Sequence, residues 1–129
     1  MKKLIFIFLA TLLLTACGQE KKIHQEAVYM NITAEQAKEI MDREEGYIIL
    51  DVRTQEEYAQ GHIPDAVLLP LDDVQNKAQT VLPDKEQQIL VYCRSGRRSK
   101  EASQILIELG YTNIKEFGGI LDWPYEVER

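Results

Sequence analysis

Short apolar runs alternate with amphipathic stretches along this chain, and the alternation predicts its elements. Tyr29 to Ile32 reads as a short first strand. Thr33 followed by Gln36 is a capping-box pattern, opening a helix to about Met41 with Ala37, Ile40 and Met41 turned inward. Gly46 breaks the chain. Tyr47 to Leu50 is an apolar run ending in Asp51, as expected of a parallel strand buried on both faces. Thr54 and Glu57 repeat the capping pattern before a short helix that turns Tyr58 inward and stops at Gly61. Ala66 to Leu69 reads as a strand, Leu71 to Ala78 as a weaker helix, and Pro83-Asp84 as a turn. Ile89 to Tyr92 is the central strand. A long helix starts at Arg98 or Ser99, buries Ala102, Ile105, Leu106 and Leu109, and stops at Gly110. Ile114 to Phe117 is the last strand, and Gly118-Gly119 leads to a turn in which Trp123 caps the core. Strands that alternate with helices predict an α/β sandwich around a parallel sheet. Ligands of such sheets bind beyond the carboxyl ends of the strands.

The N-terminus has a different pattern. Lys2 and Lys3 precede an apolar stretch from Leu4 to Leu14. That is too short for a bilayer-spanning helix, which needs about 20 residues, and it matches the apolar core of a signal peptide. Leu14-Thr15-Ala16-Cys17 resembles the lipobox of bacterial lipoproteins. The resemblance implies a signal peptide over residues 1–16 and acylation (palmitate) of Cys17, which becomes the first mature residue. Residues 18–28 are mostly polar and read as a tether, including His24, with a flexible reach of about 20 Å. The expected domain is residues 29–129, lipid-anchored on the extracytoplasmic face of the cell envelope.

Composition narrows the function. The chain of 129 residues is 45% hydrophobic and 28% charged, the balance of one ordinary globular domain. Residues 1–16 hold two of the 15 basic side chains and none of the 21 acidic ones, so the remainder carries a net charge of −8. That disfavours nucleic acid as a partner. Basic charge is concentrated instead at Arg94, Arg97, Arg98 and Lys100, a spot suited to a small anion. Cys93 and Cys17 are the only cysteines. With Cys17 lipidated, one unpaired thiol remains, which points to thiol chemistry rather than disulfide stapling, with no internal cysteine to resolve an adduct. No metal-ligand spacing, dinucleotide fingerprint or phosphate loop occurs. The expectation is a monomer with no cofactor and no metal.

Cys93 opens the run Cys93-Arg94-Ser95-Gly96-Arg97-Arg98-Ser99, between a strand and a helix. There, backbone N–H groups and the positive helix end aim at the sulfur. A free thiol titrates at about 8.5, and such surroundings lower that to roughly 3.5–7.5. The dipole alone gives only about 0.3–1 kcal/mol, so N–H···S contacts and guanidinium charge must supply the rest. Gly96 permits the backbone turn that lets amides converge. The arginines offer planar forks for an oxyanion. Asp51 and Arg53 end a strand expected beside that of Cys93. They are read as structural support, either bracing the loop or with Arg53 paired to Glu56 or Glu57 and Asp51 fixing its own turn.

Three segments together resemble a single rhodanese (thiosulfate sulfurtransferase-like) domain over about residues 29–125. They are Ile49-Leu50-Asp51-Val52-Arg53 with Glu56-Glu57-Tyr58 and Gly61-His62-Ile63-Pro64-Asp65-Ala66, the Cys93 loop, and Gly110-Tyr111-Thr112-Asn113-Ile114 with Phe117-Gly118-Gly119-Ile120 and Trp123. Asp65 departs from the family, which most often has Gly there. The resemblance implies a rhodanese-like three-layer sandwich with a central parallel sheet, and a structural rather than catalytic His62. It implies a sulfurtransferase in which Cys93 takes the sulfane sulfur of thiosulfate or a related anion as a persulfide. A thiol or cyanide-like acceptor then removes it. Arg94, Ser95, Gly96, Arg97, Arg98 and Ser99 would bind the substrate, with Arg94 and Arg98 foremost. One alternative is a phosphatase or arsenate reductase on a related fold. Such loops have five residues between Cys and Arg, whereas here Cys plus six is Ser99 and Arg98 comes one position early. The other alternative is a persulfide-carrying protein-interaction module.

Overall fold

The computed structural model describes residues 28–129. The expected signal peptide, Cys17 and residues 18–27 of the expected tether lie outside the described residues. Strand β1 (Met30–Asn31) leads into α1 (Ala34–Arg43), β2 (Tyr47–Asp51), α2 (Gln55–Gln60) and β3 (Val67–Leu68). Then come α3 (Leu71–Val81), β4 (Gln88–Cys93), α4 (Arg97–Glu108) and β5 (Ile114–Gly119), closed by a 3-10 turn at Ile120–Asp122. The strands form one parallel sheet in the order β1-β5-β4-β2-β3. β4 is central and buried from Ile89 to Cys93, which its uninterrupted apolar run demands.

Alternation along the strands splits the core in two. Leu50, Val52, Ile89, Val91 and Cys93 pack on one face with Val74 and Ala78 of α3 and Ala102 and Leu106 of α4. Ile49, Leu90, Tyr92 and Phe117 pack on the other with Ala37, Ile63 and Trp123, and with Ile40, Met41 and Tyr58 half-buried around them. The result is the three-layer α/β sandwich expected from the sequence.

Local signals held where they were local. Both capping boxes form, Thr33 with Gln36 and Thr54 with Glu57. Gly110 (φ 97) ends α4 in a Schellman motif, with Gly110 N–H donating to Ile107 O and Tyr111 N–H to Leu106 O. Asp65 adopts φ 66, so the turn that Gly usually makes is kept by a residue tolerated in the left-handed region. Several boundaries are corrected. Strand β5 runs past Phe117 through Gly118 and Gly119, because the Gly119 backbone pairs with Cys93, and β3 keeps only Val67 and Leu68 of the run from Ala66 to Leu69. Helix α3 continues past Ala78 to Val81. Helix α4 starts at Arg97, one turn-position earlier than read, because Gly96 (φ 107) is its N-cap.

Candidate active site

The carboxyl ends of β2, β4 and β5 bring Asp51, Cys93 and Gly119 to one edge of the sheet. Cys93 is 1% exposed, and its Sγ accepts a hydrogen bond from Gly96 N–H at 3.0 Å. The left-handed turn at Gly96 is what aims that N–H back at the sulfur. Ser99 Oγ lies 3.4 Å from Sγ on the inner side. Arg94 and Ser95 stand exposed on the outer side of the loop.

Gly119 carries the loop. A Cβ there would sit 1.9 Å from Arg94 O and 2.6 Å from Ser95 N, so only glycine lets the loop backbone rest on β5. The pairing of β4 with β5 shifts between Val91↔Glu116 and Cys93↔Gly119, a bulge at Phe117-Gly118 that swings Gly119 beneath Arg94. Leu121 N–H then donates to Arg94 O at 3.2 Å.

The three arginines separate. Arg98, half-buried, makes a two-pronged pair with Glu57 of α2 at 2.7 and 2.8 Å. Its bond to Glu57 raises the guanidinium above its ordinary value against the pull of burial. The same bond, opposed by burial and aided by Thr54, lowers the Glu57 carboxyl to about 2. Arg97 points outward, 3.7 Å from Glu101. Arg94 has no ion pair among the described residues and lines a cleft of 370 Å³ with Arg53, Glu57, Leu121 and Tyr125.

Asp51 and Arg53 are buried together, 0% and 4% exposed. Arg53 pairs with Asp51, not with Glu56 or Glu57, at 2.7 Å through Nη2, and its Nη2 also donates to Gly61 O. Asp51 caps its own turn through Arg53 N–H and accepts Tyr92 O–H at 2.6 Å. Both readings offered by the sequence are therefore partly present. Burial pulls the Arg53 guanidinium down, and the Asp51 bond and charge outweigh it, leaving the value raised. Burial, then Asp51, raises Tyr92. This charge-paired block fixes the end of β2 against β4, where losing one partner costs about 3–5 kcal/mol.

His62 stacks on Tyr58 with centroids 3.8 Å apart, and its Nδ1 meets Tyr58 O. Its Nε2 lies 3.6 Å from Glu128, and neither nitrogen contacts Cys93. Trp123 is 8% exposed and packs on Phe117, capping the core. A second cleft, of 450 Å³, is lined by Lys38, Tyr47, Ile63, Trp123 and Tyr125, away from the cysteine.

Sequence reasoning missed two residues here. Gly119 was read as part of a turn and of the family pattern, without its role under the loop. Glu116 went unnoted, yet it is 2% exposed and accepts Ser99 O–H at 2.6 Å and Gly118 N–H at 2.8 Å. Its signal was an acid two residues after Ile114 in a strand otherwise apolar on that face.

Known proteins resemble this chain in sequence and in fold. The model of the rhodanese-like domain matches residues 33–125. The chain is 42% identical over 73 residues to the thiosulfate sulfurtransferase PspE of Escherichia coli, a match covering 57% of this chain and 70% of that one. It is 35% identical over 91 residues to the putative sulfurtransferase YtwF of Bacillus subtilis, covering 70% and 86%. Among solved structures, a rhodanese with anions from E. coli is 37% identical, with a TM-score of 0.61 over 64% of this chain and 98% of that one. A rhodanese-related protein from Thermoplasma volcanium is 29% identical, with a TM-score of 0.68 over 78% and 98%. With a parallel sheet, a cysteine loop resting on a glycine and a family match over most of its length, the chain belongs to the rhodanese-like domain family.

Proposed function

We propose that the protein is a sulfurtransferase that carries sulfane sulfur on Cys93 and takes it from thiosulfate or a related anionic donor. The observation that carries the reading is the Cys93 sulfur held at the base of its loop, 3.0 Å from Gly96 N–H. The Cys93 thiolate attacks the outer sulfur of the donor. The donor S–S bond breaks, sulfite leaves with the electron pair, and Cys93 holds a persulfide. An acceptor nucleophile then attacks the terminal sulfur, the Cys93 S–S bond breaks, and the thiolate returns. Names of relatives such as PspE support a sulfur donor and acceptor as the substrates.

The geometry supports a role for each loop residue. Gly96 N–H stabilises negative charge on the bound sulfur. Arg94, free of ion pairs among the described residues, orients the anionic donor at the mouth. Arg98 acts mainly by tying the loop to α2, with Ser95 and Arg97 on the exposed rim. Ser99, not an arginine, faces the sulfur six positions after Cys93, which disfavours phosphate and arsenate chemistry. The lipobox-like run at Cys17 supports attachment to a membrane outside the cytoplasm.

The test is intact mass. Incubation of the purified protein with thiosulfate should add the mass of one sulfur atom, and cyanide should remove it. Cys93→Ser should show neither change. Sulfur retained by that variant, or mapped elsewhere, overturns the reading.

A further inference from the structure

Two carboxylates are buried among the described residues, Asp51 and Glu116. Asp51 has Arg53 beside it. Glu116 has no cation within ion-pair distance among the described residues. A buried acid without a cation is costly as an anion, so its proton inventory matters.

Its surroundings define a chain of three groups. Cys93 Sγ lies 3.4 Å from Ser99 Oγ, and Ser99 Oγ lies 2.6 Å from Glu116 Oε1. The serine hydroxyl has one hydrogen. Its oxygen also lies 2.9 Å from Gly96 O and 3.3 Å from Gly118 O. The carboxylate is both the nearest and the strongest of these acceptors. With the hydrogen on that side, the hydroxyl offers a lone pair to the cysteine S–H.

We propose that Cys93 and Glu116 share one proton through Ser99. The S–H proton passes to Ser99 Oγ as the hydroxyl hydrogen passes to Glu116 Oε1. One S–H bond breaks, one carboxyl O–H bond forms, and the serine is regenerated as a hydroxyl that now donates to the thiolate. No electron is transferred, no proton leaves the protein, and the net charge of the trio stays at one negative unit. The device makes the nucleophile without sending a proton to solvent, and its use in sulfur transfer rests on the function proposed above. Glu116 touches neither sulfur nor substrate, so it is a positioning residue that also stores a proton.

The other charged groups around the trio are few. Arg94 and Arg98 belong to the loop and the first turn of α4, with Arg98 committed to Glu57. Arg97 and Lys100 of α4 are exposed. Asp51 and Arg53 at the end of β2 neutralise each other. Lys115, the neighbour of Glu116 on β5, alternates to the opposite face and meets Gln88. Opposite Glu116, β1 places the uncharged Asn31.

Such a pair loses its protons in two macroscopic steps. In between, a constant fraction of molecules holds the thiolate. The second proton leaves only at higher pH, because two buried anions then face each other.

The experiment is the pH dependence of Cys93 alkylation by iodoacetamide in the purified protein, with thermal unfolding as a check on each variant. The wild type should show two rising steps separated by a plateau. Glu116→Gln, which cannot take the proton, should show one step. Ser99→Ala, which removes the hydroxyl that donates to the thiolate when Glu116 holds the proton but keeps the carboxylate, should also show one step, shifted to higher pH than that of Glu116→Gln because the buried negative charge remains. Ser99→Ala decides alone if Glu116→Gln does not fold. A single step in the wild type, or two steps surviving in both variants, overturns the proposal. Iodoacetamide needs no sulfur donor, so a two-step profile alongside no mass gain from thiosulfate would sink the sulfurtransferase reading and leave the relay standing.

Discussion

Arg98 grips Glu57 through both terminal nitrogens, at 2.7 and 2.8 Å, across 41 positions of chain. The pair ties the first turn of α4, which follows the cysteine loop, to the first turn of α2. Glu57 also closes the α2 capping box with Thr54, so one carboxylate serves a helix start and the active loop at once.

This pair makes stability depend on acid. The folded Glu57 carboxyl, held down by Arg98 to about 2 from an ordinary 4.5, contributes stability that is fully present above pH 4.5. The contribution is lost as pH falls from about 4.5 to 2. Glu57→Gln keeps a residue able to cap and removes the charge. It should cost about 1 kcal/mol at pH 7, since the two side chains keep 22% and 25% of their surface in solvent, and most of the gap to wild type should be gone at pH 2. Urea unfolding at both pH values checks this; a constant gap would contradict it.

Gly119→Ala should damage the loop without straining its own backbone. The added Cβ would overlap Arg94 O, which is backbone and cannot rotate away. We expect a loss of about 1–3 kcal/mol and a steep fall in sulfur transfer. Gly46→Ala is the control, with φ +73 but open space around it. It should cost about 1 kcal/mol from backbone strain and leave turnover alone. Equal effects on turnover from the two changes would refute the docking role of Gly119.

Arg94 and Arg98 should part company. Arg94→Ala removes an exposed charge with no ion pair among the described residues, so stability should change by less than about 0.5 kcal/mol. Loss of its contact to the anionic donor should cost about 1.5–3 kcal/mol, roughly tenfold or more in kcat/KM. Arg98→Ala should lower stability as Glu57→Gln does. Steady-state kinetics with thiosulfate and cyanide, paired with unfolding curves, separate the two. Unchanged kinetics in Arg94→Ala would remove it from donor binding.

The inward-facing residue of the loop should exclude larger anions. Ser99 occupies the position from which an arginine would hold phosphate, and Arg98 is turned to Glu57. Hydrolysis of an aryl phosphate should be negligible beside thiosulfate turnover. Phosphatase turnover that requires Cys93 would reverse the assignment.

Membrane attachment should depend on Cys17. Cys17→Ser should abolish labelling by a radioactive fatty acid and leave an unprocessed precursor. Equal labelling of wild type and variant would defeat the lipoprotein expectation.

Much of this protein was legible in the sequence because its signals are local. A capping box lies within four residues, a parallel strand announces itself by an unbroken apolar run, and a glycine stop needs only its own φ. Hence both capped helices, the buried β4 and the Gly110 stop were read correctly, and so was the place of Cys93 at a strand end. The motif resemblance supplied the family for the same reason, since its residues stand in order along the chain. Other features depended on residues far apart in the chain. Arg53 turned to Asp51, two residues back, because both are buried together under Tyr92, where an unpaired charge is costly. Arg98 turned to Glu57 only because α2 and α4 begin at the same edge of the sheet. Gly119 became indispensable because a bulge in β5 slides it beneath Arg94. Glu116 met Ser99 because sheet pairing fixes which face of β5 lies under α4. Charge and hydrogen-bond partners across the fold are chosen by which groups are buried together, and that choice exists only once the sheet has formed.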